Sequence, residues 1–264
     1  MASRKFKVIP KCLSAAASAS YPLSPEQLQF YQQNGFLVIR ELISLPALNS
    51  YRQRFKDVCN GRVEKGRVTV VKDRALCQTK SNPEDYINKI QELLFDDVYS
   101  TYSEDPRLLH IVSQLIGDDI TAVNSMLINK PPGTREHPPH QDLLYFPFRP
   151  AHKILATWTA IDPVDKTNGC LWVAPGSHKP EVLLEHCDQV TQSKLFFFGI
   201  KNSEEVAPDH KRVYLEMAPG DTVFFMPTLV HGSRPNVSSN YRKAMTCHFA
   251  NSACHYIEVA GTAH

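Results

Sequence analysis

From residue 120 onward the sequence is a run of short apolar stretches separated by turn signals, and that pattern narrows the fold more than any other feature of the chain. Stretches at 120–128, 153–161, 169–174, 212–217, 222–226 and 244–250 read as strands. Pro131-Pro132-Gly133, Pro175-Gly176 and Pro219-Gly220 are turns between them. Short strands at such intervals suit a double-sheet jelly roll. The first third reads as helical and packed outside that core. Ser24-Pro25-Glu26-Gln27 is a helix start, with Ser as N-cap, Pro at the first helical position and Gln at the third. Asn34-Gly35 stops this helix, and 36–39 reads as a buried strand. Ser44 caps a second helix carrying Leu48, Tyr51, Phe55 and Cys59. Asp105-Pro106 opens a third that Gly117 closes. The polar stretch 181–193 breaks the strand pattern and reads as a solvent-facing helical insert or lid.

With 264 residues the chain is long enough for one large β domain, placed here at 21–264. Residues 1–20 differ in kind. They carry Arg4, Lys5, Lys7 and Lys11, an unbroken Ser/Ala run from Ser14 to Ser20, and no acid before Glu26. This is the composition of a flexible tail or of an organelle-targeting segment, without the apolar centre of a secretory signal. A net charge of +2, with no block of like charges, argues against a nucleic-acid partner. The apolar runs are too short for a membrane span. Seven cysteines without a C-x-x-C pair read as free thiols rather than a disulfide framework or zinc ribbon.

Three residue groups carry candidate chemistry: His140-Gln141-Asp142, His231 and Arg242. Two imidazoles and one carboxylate are the ligand set of a non-haem iron(II) centre, which keeps open positions for a cosubstrate and O2. The H-x-D tripeptide alone is weak evidence. Composition predicts ~0.6 copies by chance, and the chain has a second at His186-Cys187-Asp188. Context separates the two. On a strand, residues i and i+2 share a face about 7 Å apart, and His140 to Asp142 precedes the apolar run Leu143-Leu144-Tyr145-Phe146. His186 and Asp188 lie in the expected helix, where i and i+2 face apart. His231 follows a turn and an apolar strand that would deliver it to a sheet edge. His248 and His255 compete for the third ligand position, although His248, mid-strand, reads better as a hydrogen-bonded core histidine. His137 reads as a neighbour of the site or a surface residue. Arg242 stands eleven positions after His231. An arginine buried in a barrel needs an anion, and a dicarboxylate such as 2-oxoglutarate would supply one through a bidentate contact.

Several segments resemble the phytanoyl-CoA dioxygenase (phytanoyl-CoA 2-hydroxylase) family. They include Phe30-Tyr31-Gln32-Gln33-Asn34-Gly35-Phe36, Met126-Leu127-Ile128-Asn129-Lys130-Pro131-Pro132 and His140-Gln141-Asp142-Leu143-Leu144-Tyr145-Phe146-Pro147-Phe148-Arg149-Pro150. Asn168-Gly169-Cys170-Leu171, Pro175-Gly176-Ser177-His178-Lys179, Gly220-Asp221-Thr222-Val223-Phe224-Phe225 and Lys243-Ala244-Met245-Thr246-Cys247-His248-Phe249-Ala250 match as well. The likeness runs from about Ser24 to Thr262.

The resemblance implies a double-stranded β-helix with iron(II) on His140, Asp142 and His231. It implies 2-oxoglutarate on Arg242 and Ser233, with Lys89, Met126, Gln141 and Trp158 at the same site, and ascorbate as an accessory reductant. The implied reaction hydroxylates carbon 2 of a branched fatty acyl-CoA such as phytanoyl-CoA, giving succinate and CO2, the opening of fatty acid alpha-oxidation. Lys72, Arg74, Arg135, Arg149 and Lys153 are candidate cations for the CoA phosphates, and no motif specifies an acyl-carrier protein. The implied location is the peroxisome, with mitochondrion or cytosol as alternatives, because residues 1–20 do not match the family's presequence. Family members also continue with a helical segment past the position of Thr262. Two other readings stand beside this one: an oxygenase of the same fold acting on another small molecule, and a cupin-like protein that binds metal or ligand without oxygenation.

Overall fold

A computed structural model describes residues 20–190 and 196–259. In chain order its strands are β1 (Phe36–Ile39), β2 (Thr69–Lys72), β3 (Ile87–Gln91), β4 (Ile120–Lys130), β5 (His137–His140), β6 (Phe148–Arg149), β7 (Ile154–Ala160) and β8 (Leu171–Val173). They continue with β9 (His186–Val190), β10 (Phe196–Ile200), β11 (Val213–Leu215), β12 (Thr222–Phe225), β13 (His231–Ser233), β14 (Arg242–Asn251) and β15 (His255–Tyr256). A seven-stranded antiparallel sheet runs β1-β12-β7-β14-β4-β3-β2, and a four-stranded one runs β11-β8-β13-β5. The pairs β9–β10 and β6–β15 are separate ribbons.

The helices begin where their caps predict. The Ser24 hydroxyl accepts from the Gln27 N–H at 3.2 Å, and Gln27 Oε1 accepts from the Ser24 N–H at 2.9 Å, completing a capping box for Pro25–Asn34. Ser44 caps Leu45–Cys59, and the Asp105 carboxylate caps Pro106–Ile116. The last helix buries Leu108, Ile111, Val112 and Ile116 at 3.6-residue spacing. Together with Leu48, Tyr51 and Phe55 it covers the outer face of the larger sheet, where Leu155, Phe224, Met245, Cys247 and Phe249 point. Tyr102 enters that layer, and its hydroxyl meets Thr157 Oγ1 at 3.1 Å and Thr159 Oγ1 at 2.8 Å.

A second apolar layer lies between the sheets. Ala156, Trp158, Ala160, Val223 and Phe225 of the larger sheet meet Leu171, Val173 and Leu215 of the smaller one. Strands β7, β12 and β14 are therefore buried on both faces along their full length. That is why charged residues are confined to the start of β14, and why β7 and β12 carry none.

Two expectations need correction. The first third is not a helical layer, because β1 forms one edge of the seven-stranded sheet and β2 with β3 the other. Thr69–Lys72 is a partly exposed edge strand with little apolar signal. The stretch 181–193 is not helical either. It contains β9, which pairs with β10 from Val190↔Phe196 to His186↔Ile200; residues 191–193 lie outside the described residues. The polar side chains suggested a helix face, but the apolar run 196–200 supplies a strand partner. No helix among the described residues is long and apolar enough to cross a membrane.

The Pro219-Gly220 turn closes against the start of the second helix. Gly220 has φ +93°, and a Cβ there would stand 2.5 Å from the Ile43 carbonyl oxygen. Gly220→Ala should cost about 2–3 kcal/mol, from left-handed strain plus this clash. Urea denaturation should show a lower midpoint at unchanged m-value.

Candidate metal centre and anion pocket

His140 ends β5, His231 begins β13, and the two are direct partners across that strand pair. Asp142 opens the 3-10 turn Asp142–Tyr145 that follows β5. Asp142 is thus delivered by the turn after the strand rather than by the strand, with Gln141 extended between the ligand candidates. Asp142 Oδ1 lies 3.4 Å from His140 Nε2 and 3.6 Å from His231 Nε2. One ligand atom from each of the three can be chosen so that all lie within 4.8 Å of one another, and all three residues are buried. Each histidine is oriented from behind. His140 Nδ1 is 2.9 Å from the Pro138 carbonyl and His231 Nδ1 is 3.0 Å from that of Leu229. A proton on each Nδ1 satisfies these contacts and leaves both Nε2 lone pairs facing the carboxylate.

The electrostatics fit a cation. Burial opposes the charge on Asp142, but His231 and His248 beside it, with the hydrogen bond from His248, hold its carboxyl well below the ordinary range. Burial pushes His231 down to about 4. A carboxylate and neutral imidazoles are the forms that bind a divalent metal.

The inner face of the larger sheet forms the other wall. Alternation along β14 turns Arg242, Thr246 and His248 inward. Across the ladder, Arg242 pairs with Lys130, and Thr246 with Met126 on one side and Trp158 on the other. Lys89, opposite Ile128, joins the same face. These side chains and the triad enclose one cavity of about 510 Å³. Phe146, Leu171, Phe198 and Phe225 give part of its wall an apolar surface, and half-exposed Tyr145 lines it too.

Arg242 is 2 % exposed. Its Nε donates to the Gly169 carbonyl at 3.1 Å and its guanidinium lies 5.3 Å over the Trp158 ring. Arg242 Nη1 and Trp158 Nε1 are buried with no hydrogen-bond partner among the described residues. Burial lowers Arg242 to about 10, so it stays charged at neutral pH. Burial and then the Arg242 charge pull Lys130 well down, and burial lowers Lys89. Lys130 Nζ donates to Ser233 Oγ at 2.8 Å and to the Arg234 carbonyl at 2.6 Å. A buried arginine with a free N–H, beside a second cation, is a seat for an anion.

The structure therefore brings Lys89, Met126, His140, Asp142, Trp158, His231, Ser233 and Arg242 into one cavity. Gln141 is the exception. Its amide donates to the carbonyls of Val182 at 3.1 Å and Thr228 at 2.6 Å and accepts from the Leu184 N–H at 2.8 Å. Its side chain is spent on these backbone groups, and it does not line the cavity. The argument against His186 also changes. It lies on a strand, but its Nε2 accepts from the Gln141 N–H at 3.1 Å and its Nδ1 is 2.7 Å from the Leu184 carbonyl. Both nitrogens are taken, so His186 braces the peptide between two ligand candidates.

His255 is exposed on β15. His137 packs edge-on against His140, with ring centroids 4.4 Å apart. Among the CoA candidates, Arg149 donates to the Phe146 and Phe148 carbonyls and Lys153 to that of Ile116, whereas exposed Arg135 lines the cavity. Sequence reading missed Lys130 and underrated His248. Strand parity was the available signal: Lys130 stands four positions from Met126, and His248 six from Arg242.

Among solved structures, EctD from S. alaskensis, solved with 2-oxoglutarate and 5-hydroxyectoine, superposes with TM-score 0.68 at 21% identity, covering 87% of this chain and 76% of that chain. The non-heme alpha ketoglutarate dependent carbocyclase SnoK from nogalamycin biosynthesis gives TM-score 0.66 at 22% identity, over 89% of this chain and 87% of that chain. These likenesses concern the fold alone. The sequence relatives are nearer. The peroxisomal phytanoyl-CoA dioxygenase of Bos taurus is 41% identical over 91% of this chain and 72% of its own length. The probable phytanoyl-CoA dioxygenase of Caenorhabditis elegans is 42% identical over 91% of this chain and 80% of its own. The family model for phytanoyl-CoA dioxygenase matches residues 31–244, a span that contains His140, Asp142, His231, Ser233 and Arg242, and the chain belongs to that family.

Proposed function

We propose that residues 21–264 form a single oxygenase domain, its two sheets the halves of a double-stranded β-helix. On this reading it catalyses iron(II)- and 2-oxoglutarate-dependent hydroxylation at carbon 2 of a branched fatty acyl-CoA such as phytanoyl-CoA. One observation carries the reading: a His-Asp-His cluster and a buried arginine with an unpartnered Nη1 line the same cavity. The donor set suits iron(II), and the paired cations suit a dicarboxylate.

His140, Asp142 and His231 would hold the metal. Arg242 would take the far carboxylate of 2-oxoglutarate through its free N–H, with Ser233 beside it. Ser233 Oγ accepts from Lys130, so its own proton is free to be donated to that carboxylate. Trp158 and Met126 shape the floor, and Lys89 adds positive charge. When bound, iron(II), 2-oxoglutarate and O2 together supply the oxidising equivalent for hydroxylation, with release of succinate and CO2, and ascorbate serves to keep the iron reduced. Phe146, Phe198 and Phe225 offer the acyl chain an apolar wall and exclude water near the reacting carbon. Arg135 is the cation placed to meet the CoA end. Peroxisomal location belongs to the same proposal, supported by relatives named as peroxisomal.

Incubation with iron(II), 2-oxoglutarate and a branched acyl-CoA should yield one succinate per acyl-CoA that gains one oxygen atom at carbon 2. Succinate released without acyl-CoA oxidation, across a panel of acyl chains, would instead favour an oxygenase acting on another small molecule. Asp142→Ala should abolish coupled turnover, and full iron-dependent activity in this variant would remove the triad assignment. Arg242→Ala should raise the KM for 2-oxoglutarate by about 100-fold, the worth of a charge-assisted bidentate contact. Arg242→Lys should recover only part, because an ammonium does not present two parallel donors. An unchanged KM in both variants would place the cosubstrate elsewhere.

A further inference from the structure

We infer that His248 is a positioning residue for the candidate metal centre, holding one oxygen of the Asp142 carboxylate so that only the other faces the metal. This rests on the triad assignment proposed above. The two carboxylate oxygens have different surroundings. Oδ1 faces His140 and His231 Nε2 at 3.4 and 3.6 Å, whereas Oδ2 lies 2.8 Å from His248 Nε2. An ionised carboxylate only accepts, so His248 Nε2–H donates. The ring is held by the Phe146 ring, 4.8 Å away between centroids, and by pairing of its backbone with Asn124 on one side and Ala156 on the other. The ladder irregularity at His248/Phe249 falls at this position, where a bulge re-aims a side chain.

Packing alone does not account for an imidazole here. His248 is buried, yet its Nδ1 has no hydrogen-bond partner among the described residues. Burying an unsatisfied ring nitrogen is unfavourable, and an apolar ring would fill the same space without that penalty. Its partner is Asp142, and the consequence follows from coordination. A carboxylate bound through both oxygens occupies two metal positions, and one bound through a single oxygen occupies one. By holding Oδ2, His248 keeps a position free for the cosubstrate or oxygen, which the facial arrangement needs.

Mn(II) binding, followed by the loss of the free-ion electron paramagnetic resonance signal, tests this without turnover. Relative to wild type, His248→Phe keeps the ring and loses the donor, and should weaken Mn(II) binding 10- to 100-fold, the usual effect of losing a partner behind a metal ligand. His248→Gln restores an N–H at similar reach and should bind within about threefold of wild type, whatever its melting temperature. If the Phe variant does not fold, His248→Asn, too short to reach Oδ2, takes its place with the same expectation. Mn(II) affinity within twofold of wild type in the Phe or Asn variant overturns the inference, even where melting temperature falls. Asp142→Ala serves as the reference. If it also binds Mn(II) like wild type, the triad assignment has failed; if it alone loses binding, only the role of His248 has.

Discussion

The site depends on the register of β14. This strand lies inside the seven-stranded sheet and pairs with β4 and β7. Its outer face puts Met245, Cys247 and Phe249, all fully buried, into the layer beneath the helices. Its inner face puts Arg242, Thr246 and His248 into the cavity. A slip of one residue exchanges the faces. It would drive a guanidinium and an imidazole into the helix-side core while turning Met245 and Phe249 toward the cavity. Each buried apolar side chain is worth about 1.5–3 kcal/mol, and a slip forfeits them together. The helices, remote from the cavity, are therefore what hold Arg242 and His248 in its wall.

That arrangement carries an electrostatic cost. Like charges directly opposite on an antiparallel pair destabilise a sheet, and Arg242 stands directly opposite Lys130. The fold offsets part of this locally. Lys130 spends two donors on Ser233 and the Arg234 carbonyl, and Arg242 spends its Nε on the Gly169 carbonyl. Gly169 makes this approach possible: a Cβ there would stand 2.6 Å from Lys130 Cδ and 2.9 Å from the Arg234 carbonyl. What remains is two buried cations side by side, whose pKa values burial lowers. A dianion is the natural electrostatic complement to this pair.

How legible this was in the sequence depends on how local each signal is. Caps at Ser24, Ser44 and Asp105 act within three residues, and the helices begin where those residues say. The central strands β7 and β12 are legible because burial on both faces leaves them without charged residues. Edge strands are not: β2 is half exposed, and β3 contains Asn88-Lys89, so neither advertises itself. β9 was hidden because its apolar partner lies beyond residues 191–195 and its own side chains are polar. In the site, the choice of His140, Asp142, His231 and Arg242 over other candidates matches where those side chains meet. Strand parity does not encode Asp142, because a turn rather than a strand delivers it. The roles of Lys130, His248 and Gln141 depend on contacts across 87 to 106 positions of chain, which no local pattern encodes.

The two sheets divide the chemistry between them. The smaller sheet and the turn after β5 carry the three candidate ligands, while the larger sheet carries the cations. Neither face has a site alone; the cavity exists because the sheets pack across Trp158, Phe225, Leu171 and Val173. Two links keep the ligand-bearing segment true to the other wall. His248 reaches from the larger sheet to Asp142, and Gln141 is clamped from the opposite side by Thr228, Val182 and His186. The three residues 140–142 are thus held alternately from inside and outside the cavity. A segment gripped on both sides cannot swing its carboxylate without breaking a buried hydrogen bond, and a preorganised facial triad requires that rigidity.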